Sequence, residues 1–246
     1  MRMLLKLAWV ELKLFVREPI TVAFVFVLPL IFLFVMGGVF KNNPDPDVYR
    51  GVGAMDYYTP AYVGLVICSI GVVALPLHFT GYRERGVLRR LRASPLPLWC
   101  VFGSQMIVSF VVALISSTVL IVASKLTFDA VMPESPVLVL AAFIASVVCF
   151  SALGILLGAV LPTARAAQGL GLILFIVMMM LSGAAAPPEV LTDPMRYIGD
   201  ATPLKHVILL IQDAWLGTPW NWITFLIVAG IAVVASLLSL RFFRWE

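Results

Sequence analysis

The stretch TGYRERGVLRRLRASPLPLW, residues 80–99, sets five arginines and one glutamate between two of the most apolar segments of the chain. Its neighbours decide the fold. Residues 57–82 and 93–124 contain no Asp, Glu, Lys or Arg, and the runs 19–40, 135–164, 166–188 and 214–240 share that property. Each can cross a bilayer, because about 20 helical residues cover the roughly 30 Å of hydrocarbon. With 62% hydrophobic residues and a mean hydropathy of +1.05 the chain lies well outside the composition of a soluble domain. Backbone amides in lipid must be satisfied internally, and unbroken apolar runs, as opposed to alternation, select helices over a barrel. The expectation is an all-α membrane protein, one domain over residues 1–246, with six transmembrane helices at 19–40, 57–80, 99–123, 137–160, 167–186 and 219–240.

Charge then orients the spans. With both termini in the cytoplasm, the inside segments hold twelve of the seventeen basic residues, and the outside loops hold nine of the thirteen acidic ones. That is the bias of a multi-pass protein following the positive-inside rule. The net charge of +4 reads as orientation and contact with lipid headgroups, so nucleic acid is not an expected partner. Cys68, Cys100 and Cys149 fall in or beside the spans and read as small packing residues, with no disulfide framework or metal spacing.

The chain has no phosphate-binding G-x-x-x-x-G-K-[ST] loop, no H-E-x-x-H and no G-x-S-x-G, and its two histidines, His78 and His206, are far apart. It does not read as an enzyme, and no bound metal or cofactor is expected. No span carries a charge in its central part, where coupled carriers place one. His78 is the one candidate for such a role, and an interfacial histidine is the other reading of it. Energy for transport would then come from a partner that hydrolyses nucleotide.

Two segments look made for contact on the cytoplasmic side. In MRMLLKLAWVELKLFVREP, at about 100° per residue, Arg2, Lys6, Lys13 and Arg17 fall within roughly 60° of one another, as in a helix lying in the interface. Glu11 and Glu18 fall opposite that stripe, on the side that should meet lipid, which leaves two readings: they face protein, or the helix is an orienting anchor with two snorkelling acids. This helix is expected over residues 1–18. A second short helix, over 81–98, has Val87, Leu88 and Leu91 on one face and Arg85, Arg89 and Arg92 on another, and Pro95 and Pro97 stop it. Its amphipathic order favours docking against protein over a bare topology signal.

On the outer side, Val207 to Ile211 is apolar but too short to span, and charged or polar residues confine it. Residues 187–217 therefore read as a hairpin that dips into the outer leaflet, with Trp215, Trp220 and Trp222 as an aromatic belt beside the last span. Gly154 and Gly158 form a G-x-x-x-G that could pack helices within one protomer or between two. Ser104, Gln105, Ser109, Ser116, Ser117 and Thr118 make the third span the most polar, either as interhelical hydrogen-bonding groups or as a channel lining.

These features together resemble the ABC type 2 transporter permeases, the small bacterial exporters similar to the daunorubicin-resistance permease, over essentially the whole chain. The resemblance rests on VREPITVAFVFVLPLIFLFVMGGVF (16–40), YRERGVLRRLRASPLPLW (82–99), LSGAAAPPEVLTDPMRYIGDATPLKHV (181–207) and the order of the elements. It implies that residues 81–98 are a coupling helix resting in a cleft of a separate ATP-binding subunit. Arg83, Glu84, Arg85, Gly86, Leu88 and Leu91 fall on matching positions, and Arg89, Arg92, Glu11 and Glu18 join them as coupling residues. Val87 stands where Thr is frequent and Arg89 where Glu is frequent, which implies a more acidic partner cleft. The resemblance further implies two ATP-binding subunits carrying ATP and Mg, a second permease copy as homodimer or heterodimer, and residence in the bacterial cytoplasmic membrane. A substrate route between protomers would involve Tyr62, Leu65, Ser69, Phe175, Met178, Met179 and Met180, although a methionine cluster is also ordinary core material. The expected activity is export of a hydrophobic or amphiphilic compound, the alternatives being a lipid-linked glycan, a peptide or an ion, or a scaffold or passive channel.

Overall fold

The computed structural model describes residues 2–40, 42–44, 48–93 and 98–242. Among them six helices are long and apolar enough to cross a membrane: Pro19–Phe40, Ala54–Glu84, Trp99–Phe128, Pro136–Val160, Ala164–Leu181 and Trp222–Phe242, the first to sixth spans below. An N-terminal helix, Arg2–Val16, precedes them, a short basic helix, Val87–Arg92, follows the second, and the pair Asp193–Asp200 and Pro203–Trp215 links the fifth to the sixth. Among the described residues the β pairing is one isolated bridge, Pro44 to Gly53. The all-α reading with six membrane helices holds.

Proline writes several of the helix starts and both of the irregular turns. The extended backbone of Glu18 (φ −100°, ψ 90°) ends the N-terminal helix, and Pro19 opens the first span where no N–H is needed. Within the first and second spans the helix widens to π turns at Ala23–Val27 and Ile70–Ala74, each just before a Leu-Pro-Leu sequence containing Pro29 or Pro76. A proline cannot serve the carbonyl four residues back and crowds it, and an extra residue in the preceding turn relieves both problems. The carbonyl that Pro29 leaves unserved, that of Val25, accepts instead the Ser116 hydroxyl from the third span at 2.8 Å.

The second span is the central shaft. Its apolar window is 94% buried inside the protomer, against 28–56% for the other five. Glycines bring neighbours onto its backbone: a Cβ on Gly154 or Gly171 would collide with the carbonyl oxygens of Gly71 and Val72, and one on Gly158 would strike Phe79. The G-x-x-x-G of the fourth span thus packs within one protomer. The helix Pro203–Trp215 covers the half of the shaft nearer Ala54, with Leu204, Val207, Ile208, Leu210 and Ile211 all buried.

Two expectations are revised. Residues 81–98 do not form one helix: the second span runs on to Glu84, the chain turns at Gly86 (φ +66°), and only Val87–Arg92 is helical again. The proline stop signal at residues 94–97 lies outside the described residues. Trp215 belongs to no membrane belt, because the hairpin carries it inward, where it is 1% exposed and its Nε1 donates to the Val131 carbonyl at 2.9 Å. Trp222 is the exposed one, with Trp220 packed edge-on against it.

Candidate functional site

The arginine-rich segment divides into a pair that bonds the next two spans, Arg83 and Glu84, and a set that makes no such bond. Arg83, on the last turn of the second span, donates to the carbonyls of Gly158 (2.8 Å), Ala159 (3.3 Å) and Leu161 (2.6 Å) at the end of the fourth span. Those carbonyls have no helical partner, and they form the negative end of the helix dipole, so a guanidinium suits them. Glu84, the next residue, accepts the Ala164 N–H at 2.9 Å at the start of the fifth span, where the dipole favours an anion. Thr163 caps the same helix through the Ala166 N–H. One cation and one anion thus grip both sides of the turn between the fourth and fifth spans.

Beyond them the chain faces outward. Arg85, Arg89 and Arg90 are exposed, Leu88 is 1% exposed, and Arg90 folds back to donate to the Arg85 carbonyl at 3.3 Å. Gly86 supplies the left-handed turn that separates the two sets, a conformation any other residue adopts at a cost. Leu91 and Arg92 belong to the basic helix, but their side chains lie outside the described structure.

Glu11 proves to be a buried residue facing protein. It is 3% exposed, its carboxylate lies 2.9 Å from His78 Nε2, and it accepts the Tyr82 hydroxyl at 2.8 Å. Gln105 of the third span meets His78 at 3.0 Å, and the His78 and Tyr82 rings sit 4.0 Å apart. Burial by itself would raise the Glu11 pKa, but the hydrogen bonds and charge of His78 and the donors Tyr82 and Gln105 outweigh it and hold the carboxyl below its ordinary value. Glu18 accepts the Thr21 hydroxyl at 3.2 Å and lines an open cleft beside the second span. His78 is therefore a partner of the N-terminal helix, and among the described residues the polar side chains of the third span include three, Gln105, Ser116 and Ser124, that bond neighbouring helices.

The residues nominated for a substrate route lie mostly inside the protomer. Tyr62, Leu65 and Ser69 are fully buried, and Phe175, Met178 and Met179 nearly so, while Met180 is 44% exposed. Tyr62 stacks on Tyr58 at 5.5 Å, and its buried hydroxyl has no hydrogen-bond partner among the described residues. Ser69 donates to the Val66 carbonyl, and Phe175 packs edge-on against Phe24. Among the described residues no three His, Cys, Asp or Glu side chains form a metal-sized group.

A second polar cluster, at the opposite end of the shaft, escaped the sequence reading. Arg50 pairs with Asp213 at 2.7 Å, and Gln212 donates to the Tyr57 carbonyl at 3.0 Å. Asn42 accepts the Met55 N–H and donates to Asp56, which also accepts the Val131 N–H at 2.8 Å. Beneath them Tyr49, Tyr57 and Tyr58 pack ring to ring at 5.3–5.8 Å, and Tyr49 and Arg50 both hold left-handed backbone to reach their places. A clustering of tyrosines at residues 49–62 was the available signal; the partner of Arg50, 163 residues away, left none.

The same architecture has relatives. A transport permease of Bacillus subtilis (strain 168), YvfS, is 24% identical over 241 residues, covering 97% of this chain and 96% of its own length. The daunorubicin resistance ABC transporter permease protein DrrB1 of Streptomyces coeruleorubidus is 25% identical, over 96% of this chain and 84% of its own. The sequence profile of the ABC-2 type transporters matches residues 3–215, from the N-terminal helix to Trp215. Six membrane helices built around a buried second span, and a profile that takes in five of them with both flanking helices, place this chain in the ABC-2 type transporter family.

Proposed function

We propose that the chain is the membrane subunit of an ATP-driven exporter that moves a hydrophobic or amphiphilic compound out of the cell. Two ATP-binding subunits, carrying ATP and Mg, would dock on the side of the basic helix, and a second permease copy would complete the transporter. The distribution of basic residues supports the orientation, with both termini in the cytoplasm. DrrB1 carries daunorubicin resistance in its name, and an amphiphilic cargo for this chain follows that relative and the apolar faces of the spans.

The observation that carries the reading is the double grip of Arg83 and Glu84. A push on the exposed Arg85–Arg89 surface would pass through the Gly86 turn to the second span, and through its last two residues to the fourth and fifth spans together. Charged hydrogen bonds are directional and strong enough to transmit such a displacement. The nominated route residues Tyr62, Leu65, Ser69, Phe175, Met178 and Met179 would then be reached only as the helices part, with Met180 already at the surface. Glu11 would act through the N-terminal helix, and Glu18 at its end.

The test is Glu84→Ala and Gly86→Pro in the chain co-expressed with its ATP-binding partner, in proteoliposomes. ATP hydrolysis should continue while export falls at least tenfold, the equivalent of about 1.4 kcal/mol of lost coupling. Export at the wild-type rate in both variants would defeat the assignment.

A further inference from the structure

Between the end of the N-terminal helix and the last turns of the second span lies an open cleft of about 270 Å³. Its walls bring together two cations, Arg17 and Arg85, two carboxylates, Glu18 and Glu84, and an apolar pair, Ile20 and Leu77. Arg17 and Arg85 are exposed and make no side-chain hydrogen bond among the described residues. Glu18 commits one oxygen to Thr21 and Glu84 one to the Ala164 N–H, and among the described residues the second oxygen of each takes no hydrogen bond.

This mixture discriminates. A simple cation would meet two guanidiniums, and a simple anion two carboxylates. A ligand bearing both signs, a phosphate for the arginine forks and an ammonium for the carboxylates, satisfies all four. One apolar wall also continues into the bilayer: Ile20 is 54% exposed and begins a stripe with Val27, Ile31, Phe34 and Val35, each 47–54% exposed, at helical spacing along the first span. That stripe runs roughly 22 Å at 1.5 Å per residue, long enough for an acyl chain in one leaflet of roughly 15 Å.

We propose that the cleft is a binding site for an aminophospholipid from the leaflet on the side of the N-terminal helix. Arg17 and Arg85 hold its phosphodiester, Glu18 and Glu84 its primary ammonium, and an acyl chain lies along the stripe from Ile20. The lipid bridges the end of the N-terminal helix and the turn that carries Arg85. The site shares Glu18, Glu84 and Arg85 with the proposed coupling surface, but its lipid preference is read on the chain alone, so an exporter assignment that failed would leave that preference unchanged.

Native mass spectrometry of the full chain in detergent, titrated with phosphatidylethanolamine, phosphatidylglycerol or phosphatidylcholine, tests it. Phosphatidylethanolamine should be retained roughly tenfold more tightly than the other two, the effect of one or two charge-assisted hydrogen bonds. R17Q/R85Q should abolish retention of all three above background. E18Q should spare phosphatidylglycerol and reduce phosphatidylethanolamine to its level, which decides the matter should the double variant not fold. Equal retention of the three lipids by the wild type, or an undiminished ethanolamine preference in E18Q, would overturn the proposal. Displacement of the lipid by millimolar inorganic phosphate would overturn it as well, making this a site for free phosphate.

Discussion

At the end of the second span near Glu84, charge does the fastening: His78 and Tyr82 hold Glu11 of the N-terminal helix, Arg83 holds the end of the fourth span, and Glu84 holds the start of the fifth. At the end near Ala54 the same helix is fastened by rings, with Tyr49, Tyr57 and Tyr58 in mutual contact and Tyr62 stacked on Tyr58, beneath the Arg50–Asp213 ion pair. The two chemistries respond differently to displacement. A charged hydrogen bond with space beside it can shift and re-form, and the Glu11–His78 pair borders a cavity of about 20 Å³, room for one water. Close-packed rings have no such slack and lose contact as soon as they move. On the proposed reading the charged end receives motion and the tyrosine end seals against it.

The largest expected effect comes from removing Glu11. Glu11→Ala leaves His78, Tyr82 and Gln105 without their shared acceptor in a buried site, and a buried donor left unsatisfied costs about 1–3 kcal/mol for each group stranded. Equilibrium unfolding of the purified chain in detergent should register it. The effect also carries a pH signature. The Glu11 carboxyl is held below its ordinary value of 4.5 in the folded chain, so its contribution is complete above that value and is lost as the pH falls through the lower, folded one. Wild type should therefore lose stability on acidification below about 4.5, and Glu11→Gln should lose less over the same interval. Parallel curves for the two proteins would remove the charge from this end of the comparison.

A smaller effect is expected at the tyrosine end. Asp213 is nearly buried but Arg50 is 28% exposed, so solvent screens the pair. A double-mutant cycle with Arg50→Ala and Asp213→Asn should give a coupling of about 1 kcal/mol that shrinks with added salt. A coupling as large as the Glu11 loss would mean that charge fastens both ends alike, and the contrast would fail.

The six spans and the contact-making character of the N-terminal helix were legible because lipid imposes rules on every residue: length, unbroken apolarity and charge confined to the ends. Glu11 and Glu18 stood out by breaking the pattern of their own helix, and the structure indeed turns Glu11 into protein. What pairs with what was illegible. Glu11 meets residues 67 to 94 positions away, and Arg83 and Glu84 meet the fourth and fifth spans, so their roles depend on helix placement that no local pattern encodes. The length of the helix over 81–98 was misjudged for a related reason. Arg83 and Glu84 are too polar for a span in isolation, and only the carbonyls and N–H groups waiting at the next turn let the second span continue through them.

The smallest effect separates the two ends from the membrane middle. Ser116 and Ser117 are adjacent and both buried, yet the Ser116 hydroxyl serves the Val25 carbonyl released by Pro29, while the Ser117 hydroxyl has no partner among the described residues. Ser116→Ala should cost about 0.6 kcal/mol, the usual worth of an interhelical hydrogen bond in a membrane protein. Ser117→Ala should cost nothing or stabilise slightly, since it removes a hydroxyl that is buried unpaired. Unfolding curves for the pair, measured side by side, isolate the bond from the loss of an oxygen atom. An equal loss at both positions would mean that the π turn satisfies Val25 by itself, and that the first span needs no help from the third to carry a proline through the bilayer.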